Sequence, residues 1–435
     1  MERFALSRMK EWKENENRKP LIIRGARQVG KTWIMKTFGQ QYFEKTAYVN
    51  FDNNARMKQV FEGDLDIERL VLAISAETGV SIEAENTLII FDEIQEVPKA
   101  LTSLKYFHEN APQYAIVAAG SLLGVALHQG TPFPVGKVDF LDLYPLNFRE
   151  FLCAMGEKQF VSMLDSCDTQ MVTVFKTKYI ERLREYYFVG GMPEVVKDFS
   201  EKKDYNRVRV IQKNLINYYQ QDFSKHAEIK LVPRLNLVWN SIPMQLAKEN
   251  KKYIYGQVRE GSRAKDFELA IQWLLDCGLI HKVQRIQKPD LPLKAYIDFD
   301  AFKLFLVDIG LLIAMTDLDA KVIIEGNKIF TEFNGSLTEQ YILQQLISDV
   351  GVIPYYYSTQ NSKGEIDFLV QGKTSVIPIE VKAEENLKAK SLKAFCEKYQ
   401  PSYAVRTSMS DYREQDWMTN IPLYAIKWIE NYVNQ

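Results

Sequence analysis

Cysteine and histidine are both scarce, at four residues each in a chain of 435. Cys153, Cys167, Cys277 and Cys396 lie far apart with no C-x-x-C pair. That spacing argues against a zinc ribbon or a disulfide framework and fits a reducing compartment. His108, His128, His226 and His281 are equally scattered and suggest no ligand set. No stretch approaches the ~18 consecutive apolar residues that a membrane span needs. The opening helix pattern, with Leu6, Met9 and Trp12 on one face, lacks a signal-peptide core. A soluble, cytoplasmic chain with no membrane partner is expected. Neither an internal repeat nor a low-complexity segment is found, and a net charge of −1 gives no overall pull toward nucleic acid. The 46% hydrophobic and 26% charged content is that of an ordinary globular protein. The length suggests about two to four domains.

Against these absences stands Gly25-Ala26-Arg27-Gln28-Val29-Gly30-Lys31-Thr32, a complete G-x-x-x-x-G-K-S/T phosphate loop. It follows the apolar run Leu21-Ile22-Ile23, which reads as a buried strand, and it opens a helix over 33–38. Glycines let the backbone curl so that successive N–H groups face phosphate oxygens. Lys31 brings a point charge to the β- and γ-phosphates, and Thr32 a hydroxyl to Mg2+. About sixty residues on, Thr87-Leu88-Ile89-Ile90-Phe91 runs into Asp92-Glu93. Phosphoryl transfer asks the protein mainly for placement of metal, phosphate and water. Asp92 suits the Mg2+ shell, and Glu93 can polarise the attacking water. An extra strand between the two nucleotide motifs is expected over 46–51.

A further strand over 114–119 ends in Gly120-Ser121, and Ser121 is the candidate γ-phosphate sensor. Strands near 21–24, 46–51, 87–92, 114–119 and 138–143, with helices between them, predict an α/β fold with a parallel doubly wound sheet. Ligand then sits at the carboxyl ends of its strands.

Beyond this core, expected over 1–146, comes a helical region over 147–225. It contains Gly190-Gly191-Met192-Pro193, read either as a hinge between helices or as a plain loop. Between Glu201 and Lys265 there are fourteen Lys and Arg against six Asp and Glu. A helix over 266–275, the stop at Cys277-Gly278 and an apolar strand over 279–283 have the layout of a winged helix, assigned to 226–325. Lys251, Lys252, Arg263 and Lys265 would then face DNA. Equally, they could be a merely solvated face.

The segment 326–435 carries a second constellation. Val376 to Lys382 alternates at strand period, so Glu380 and Lys382 share one face. Glu365 to Val370 is another strand, turned back at Gly372-Lys373, and the hairpin can bring Asp367 beside Glu380. Glu339 lies on a preceding helix. A helical acid, then D, then E-x-K is the active-site order of the PD-(D/E)xK nuclease fold, with Ile366 where the motif has proline. Three converging carboxylates would call for a second Mg2+ or Mn2+.

Several motifs follow one another in order: Arg24 to Thr32, Phe91-Asp92-Glu93-Ile94-Gln95, Ala119 to Leu123, Pro134 to Lys137, and Tyr144 to Phe151. Gly190 to Glu194, Phe302 to Leu311 and Gly364 to Phe368 complete the series. The chain resembles the large prokaryotic family of AAA-type ATP-binding proteins with a C-terminal domain of uncharacterised function. That resemblance implies a P-loop ATPase core, a winged-helix linker and a restriction-endonuclease-like C-terminal domain. Arg27 and Arg149 are candidates for an arginine finger, with neither assigned. Two functional readings stand: Mg2+-dependent ATP hydrolysis coupled to DNA binding or processing, or a nucleotide-dependent switch whose nuclease-like domain binds a partner without cleaving.

Overall fold

The computed structural model describes residues 1–120, 133–248, 251–324, 331–359, 364–384 and 389–435. Ser121, the expected γ-phosphate sensor, lies outside these residues. Two units emerge. One comprises residues 2–144 with 276–279, the other residues 145–275 with 280–435 and Met1. Among the described residues no helix is long and apolar enough to cross a membrane.

The first unit runs α1 (Ala5–Glu14), β1 (Leu21–Arg24), α2 (Lys31–Tyr42), β2 (Lys45–Asn50), α3 (Ala55–Glu62), α4 (Ile67–Thr78), β3 (Thr87–Asp92), α5 (Pro98–Asn110), β4 (Ala115–Ala119) and β5 (Asp139–Asp142). Its helix starts carry their own chemistry. Asn54 and Asp66 cap α3 and α4 by accepting from the Met57 and Arg69 amides. Gly79 ends α4 in the left-handed conformation, φ +69°. The unbroken apolar runs of β3 and β4 are buried on both faces, as central parallel strands require. Phe51, Phe61 and Phe91 meet edge to face at 5.3, 5.5 and 5.6 Å beneath the sheet.

All five strands are parallel, in the order β2-β3-β4-β1-β5. One correction concerns the strand between the nucleotide motifs. The segment near 46–51 separates them in sequence, but in space β2 is an edge strand. The strand lying between β1 and β3 is β4, with Val117 opposite both Leu21 and Ile90.

The second unit contains α6 (Phe148–Ala154), α7 (Lys176–Val189), α8 (Tyr205–His226), α9 (Val232–Leu246) and α10 (Ala264–Asp276), then α11 (Ile309–Met315), α12 (Thr331–Gln345) and α13 (Lys390–Tyr399), with further helices between. Its strands are β6 (Ile280–Ile286), β7 (Ile297–Leu306), β8 (Tyr355–Ser358), β9 (Glu365–Gln371), β10 (Val376–Val381), β11 (Val405–Ser408), β12 (Arg413–Glu414) and β13 (Thr419–Pro422). They form one mixed sheet, β12-β13-β11-β10-β9-β8-β6-β7. Helices α9 and α10 are followed by the antiparallel hairpin β6–β7. That hairpin also pairs in parallel with β8. Segments 226–325 and 326–435 therefore share a sheet.

Gly190-Gly191 is a packing knot rather than a hinge. Gly190 takes φ +73°, and a Cβ there would collide with the Asp308 carboxylate. A Cβ on Gly191 would strike the Leu146 carbonyl, and one on Gly310 the Val189 carbonyl. The Gly191 amide donates to Asp308 Oδ2 at 2.6 Å, and its carbonyl accepts the Leu146 amide at 2.7 Å. Burial pushes the Asp308 carboxyl up to about 6, opposed by the Gly191, Leu311 and Gly310 amides and Gln344. Gly191→Ala should destabilise the fold by about 2 kcal/mol or more, since the methyl has no volume to enter. A chemical-denaturation midpoint equal to that of the parent would refute the close packing.

Candidate nucleotide site

The phosphate loop occupies the carboxyl end of β1, where the left-handed positions supply its curl. Gly25 has φ +145°, Gln28 +64° and Gly30 +95°. A Cβ at Gly25 would run into the Leu143 carbonyl, so glycine is required there. Gly30 is the N-cap of α2, which puts Lys31 and Thr32 on its first turn beneath the loop amides. The buried Arg3 donates from Nη1 to the Val29 carbonyl at 3.0 Å and from Nη2 to the Tyr144 carbonyl at 2.6 Å. It ties the middle of the loop to the chain beyond β5.

Lys31 is buried, and its Nζ donates to the Gly25 and Ala26 carbonyls at 2.9 and 2.8 Å. Burial lowers its ammonium to about 8 against the opposing pull of Glu93 and Asp92. A triphosphate would bind the protonated form and raise it again. Nucleotide affinity should therefore hold below pH 8 and fall above it, by about tenfold at pH 9. Binding isotherms from pH 6.5 to 9.5 check this; affinity flat to pH 9.5 would mean that Lys31 keeps its ordinary lysine value.

Asp92 ends β3, 3% exposed, and collects donors from two elements. Thr32 Oγ1 donates to Asp92 Oδ2 at 2.6 Å, and Tyr48 from β2 donates its hydroxyl to the same oxygen at 2.9 Å. Burial and the Asp92 charge both hold the Tyr48 phenol neutral, well above its usual range. Glu93 follows in the left-handed conformation, φ +51°, which turns its side chain away from the strand direction. Its Oε2 accepts Gln95 Nε2 at 2.7 Å. The loop, Lys31, Thr32, Asp92 and Glu93 are thus brought together within one unit. Arg27, half-buried on the loop, bears on Lys31. Arg149 belongs to the other unit, where it pairs with Asp165 and with Asp349 at 2.8 Å.

Sequence reasoning did not assign Arg3, Tyr48 or Gln95 to the site. Gln95 was legible as the polar residue two beyond Glu93. Arg3 and Tyr48 act across 26 and 44 residues, and nothing local marks them.

The residues of the expected second site are taken up largely by lysines and backbone amides. Glu339 of α12 pairs with Lys251 and, at 3.6 Å, with Lys303 of β7. Lys303 is fully buried, pairs with Glu365 and lies over the Tyr356 ring at 4.8 Å. Burial would raise Glu339, but Lys251 and Lys303 hold it at about 2. Burial and the Glu339 charge push Asp367 upward, and its Oδ2 accepts the Val381 amide at 2.7 Å.

β8 and β9 pair with a register shift: β9 uses four residues, Ile366 to Leu369, where β8 uses three, Tyr357 to Tyr355. Ile366 and Leu369 then both pack with Leu392 and Phe395 of α13, while Asp367 stays with Lys303 and Glu339. Glu380 turns toward α13, accepting the Leu392 amide at 3.3 Å and pairing with Lys382 at 2.7 Å. Glu380 thus pairs with Lys382, while Asp367 accepts the amide of the residue between them and feels the Glu339 charge. Among the described residues no three His, Cys, Asp or Glu side chains gather as a metal-ligand group. Of the expected DNA-facing residues, Lys251 is taken up by Glu339 and Lys252 is half-buried, whereas Arg263 and Lys265 are exposed.

Residues 17–152 match the family model of an AAA domain. Residues 180–322 match a domain of unknown function, DUF8612, and residues 334–426 another, DUF4143. None of the curated proteins matches. Among solved structures, the chain is similar to the Walker-type ATPase paby2304 of Pyrococcus abyssi, at 15% identity and TM-score 0.43, covering 72% of this chain and 95% of that one. It is also similar to the Aeropyrum pernix Orc1 protein solved in complex with DNA, at 13% identity and TM-score 0.27, covering 72% and 91%. The Thermotoga maritima RuvB Holliday junction branch migration motor is similar at 12% identity and TM-score 0.28, covering 64% and 87%. Overlaps at these TM-scores carry no further weight. The AAA-domain match and the five-stranded parallel sheet make the first unit a P-loop AAA-type ATPase core, a fold that supports ATP binding and hydrolysis with Mg2+.

Proposed function

We propose that the chain is an ATP-driven switch: Lys31, Thr32, Asp92 and Glu93 bind and turn over Mg2+-ATP, and the C-terminal sheet engages a partner without cutting it. The observation that carries the ATPase half is the Thr32 Oγ1–Asp92 Oδ2 hydrogen bond of 2.6 Å, with Glu93 the next residue. Thr32 and Asp92 would hold Mg2+, which supplies Lewis acidity at the β- and γ-phosphates. Lys31 leaves the Gly25 and Ala26 carbonyls for the phosphate oxygens. The loop amides from Gln28 to Thr32 receive the remaining charge. Glu93 takes the proton of the attacking water, and Ser121 is the proposed γ-phosphate sensor. A division into 1–146, 147–225, 226–325 and 326–435 remains the proposed domain plan.

DNA is the favoured partner class, through the exposed Arg263 and Lys265 at the start of α10. Binding without cleavage is supported by the ion pairs that already engage Glu339 with Lys251 and Lys303 and Glu380 with Lys382. The test incubates the protein with ATP, Mg2+ or Mn2+, and plasmid, single-stranded and branched DNA, scoring phosphate release and strand cleavage. Phosphate release without cleavage is expected, and Lys31→Ala should abolish it by removing the buried cation that meets the β- and γ-phosphates. Metal-dependent nicking lost in Asp367→Asn would overturn the non-cleaving reading. An unchanged rate in Lys31→Ala would overturn the ATPase assignment.

A further inference from the structure

The turn Asp276–Leu279 lies some 250 residues after the phosphate loop in the sequence, yet it belongs to the same compact unit. Gly278 takes φ +68°, and a Cβ added there would sit 3.1 Å from the Ala26 amide nitrogen and 3.6 Å from the Gly25 carbonyl carbon. Cys277 is 4% exposed and is among the groups that bear electrostatically on the Lys31 ammonium. The turn thus packs on Gly25-Ala26, the backbone whose carbonyls hold Lys31. Gly25 is closed off elsewhere by the Leu143 carbonyl, and Val29 is tethered by Arg3. Gly25-Ala26 is accordingly held between two pieces of chain, one around Leu143 beyond β5 and the other the turn Asp276–Leu279.

We infer that the turn Asp276–Leu279 is an outer wall of the nucleotide site and that Gly278 is a positioning residue for the phosphate loop. Resting on the nucleotide reading of that loop, this adds the distant element that shapes it. When Lys31 moves to the phosphates, the Gly25 and Ala26 carbonyls lose their donor. At those two positions the loop then relies on packing in place of the Lys31 hydrogen bonds. The turn supplies that packing at the first two positions of the loop, where the local contacts come from the Leu143 side. By reciprocity, whatever free energy the turn contributes to nucleotide binding, nucleotide returns to the turn. Occupancy of the loop therefore stabilises the segment that joins α10 to β6 in the chain.

A matched substitution separates this effect from backbone strain. Gly79 follows α4 with φ +69°, nearly the value at Gly278, but a Cβ there would meet nothing within 4 Å. Gly278→Ala and Gly79→Ala therefore share the left-handed penalty, and only the first touches the phosphate loop. Gly278→Asn serves as a second variant, because asparagine tolerates the left-handed conformation while still adding the Cβ.

Each full-length variant is measured in two ways: by amide exchange of the peptide spanning 24–30 without nucleotide, and by the dissociation constant of a fluorescent ATP analogue together with KM and kcat for ATP. Both Gly278 variants should speed exchange of that peptide and weaken the analogue about three- to tenfold, raising KM more than they lower kcat. Gly79→Ala should change neither. Analogue binding to the parental protein should slow exchange across 276–279. Gly278 variants that match Gly79→Ala in loop exchange would overturn the inference by themselves, whereas a parental protein that binds no analogue would overturn the nucleotide reading instead.

Discussion

Glu93→Gln should bind ATP within about a factor of two of the parental protein and yet hydrolyse it at least about a hundredfold more slowly. The substitution keeps size and hydrogen-bonding capacity but removes the group that accepts the proton of water. Thr32 and Asp92 stay joined, so the metal position survives. The Glu93 backbone is left-handed and its carboxylate is engaged by Gln95, so the side chain is restrained before nucleotide arrives. Measurement needs two numbers from one preparation: a dissociation constant and a single-turnover rate. Parental turnover in the Gln variant would remove Glu93 from the chemistry, and lost binding would make it a structural residue of the loop.

Lys303→Met should destabilise the second unit by about 3–5 kcal/mol, the scale for breaking a buried ion pair by deleting one partner. Lys303 is fully buried with Glu365 and Glu339 against it. Methionine fills similar volume, so the loss isolates charge from packing. Glu339 would keep Lys251, but Glu365 would lose its buried cation. Urea midpoints of the two proteins decide the matter, with ATP binding as the control. A midpoint shift below about 1 kcal/mol would show that solvent reaches the cluster and screens it.

Much of the first unit was legible because its signals are local. Leu21-Ile22-Ile23 before the loop, and Thr87 to Phe91 before Asp92, are apolar runs whose burial needs no partner to be guessed. The five strands fall within a residue of their expected bounds. The spatial position of β2 was not legible, since parallel order depends on crossovers rather than on any strand's own residues. Alternation in Glu380 and Lys382 correctly put them on one face, where they pair. The hairpin takes Asp367 to the Val381 amide, next to Glu380, while the register shift between β8 and β9 adds a residue that no period-two pattern announces.

The sequence by itself determined the phosphate loop, the metal-side carboxylate and the acid beside it. Each works through backbone and side chains within a few residues, and those short-range rules hold wherever the segment folds. Only the tertiary structure decided what surrounds them. Tyr48 and Arg3 were brought to the site by strand order and chain return, and Gly278 by a contact from the far end of the sequence. It also decided that the C-terminal acids meet lysines. Lys251 and Lys303 reach Glu339 from positions 88 and 36 residues away in the chain, and these cations offset the cost of desolvating the buried carboxylate.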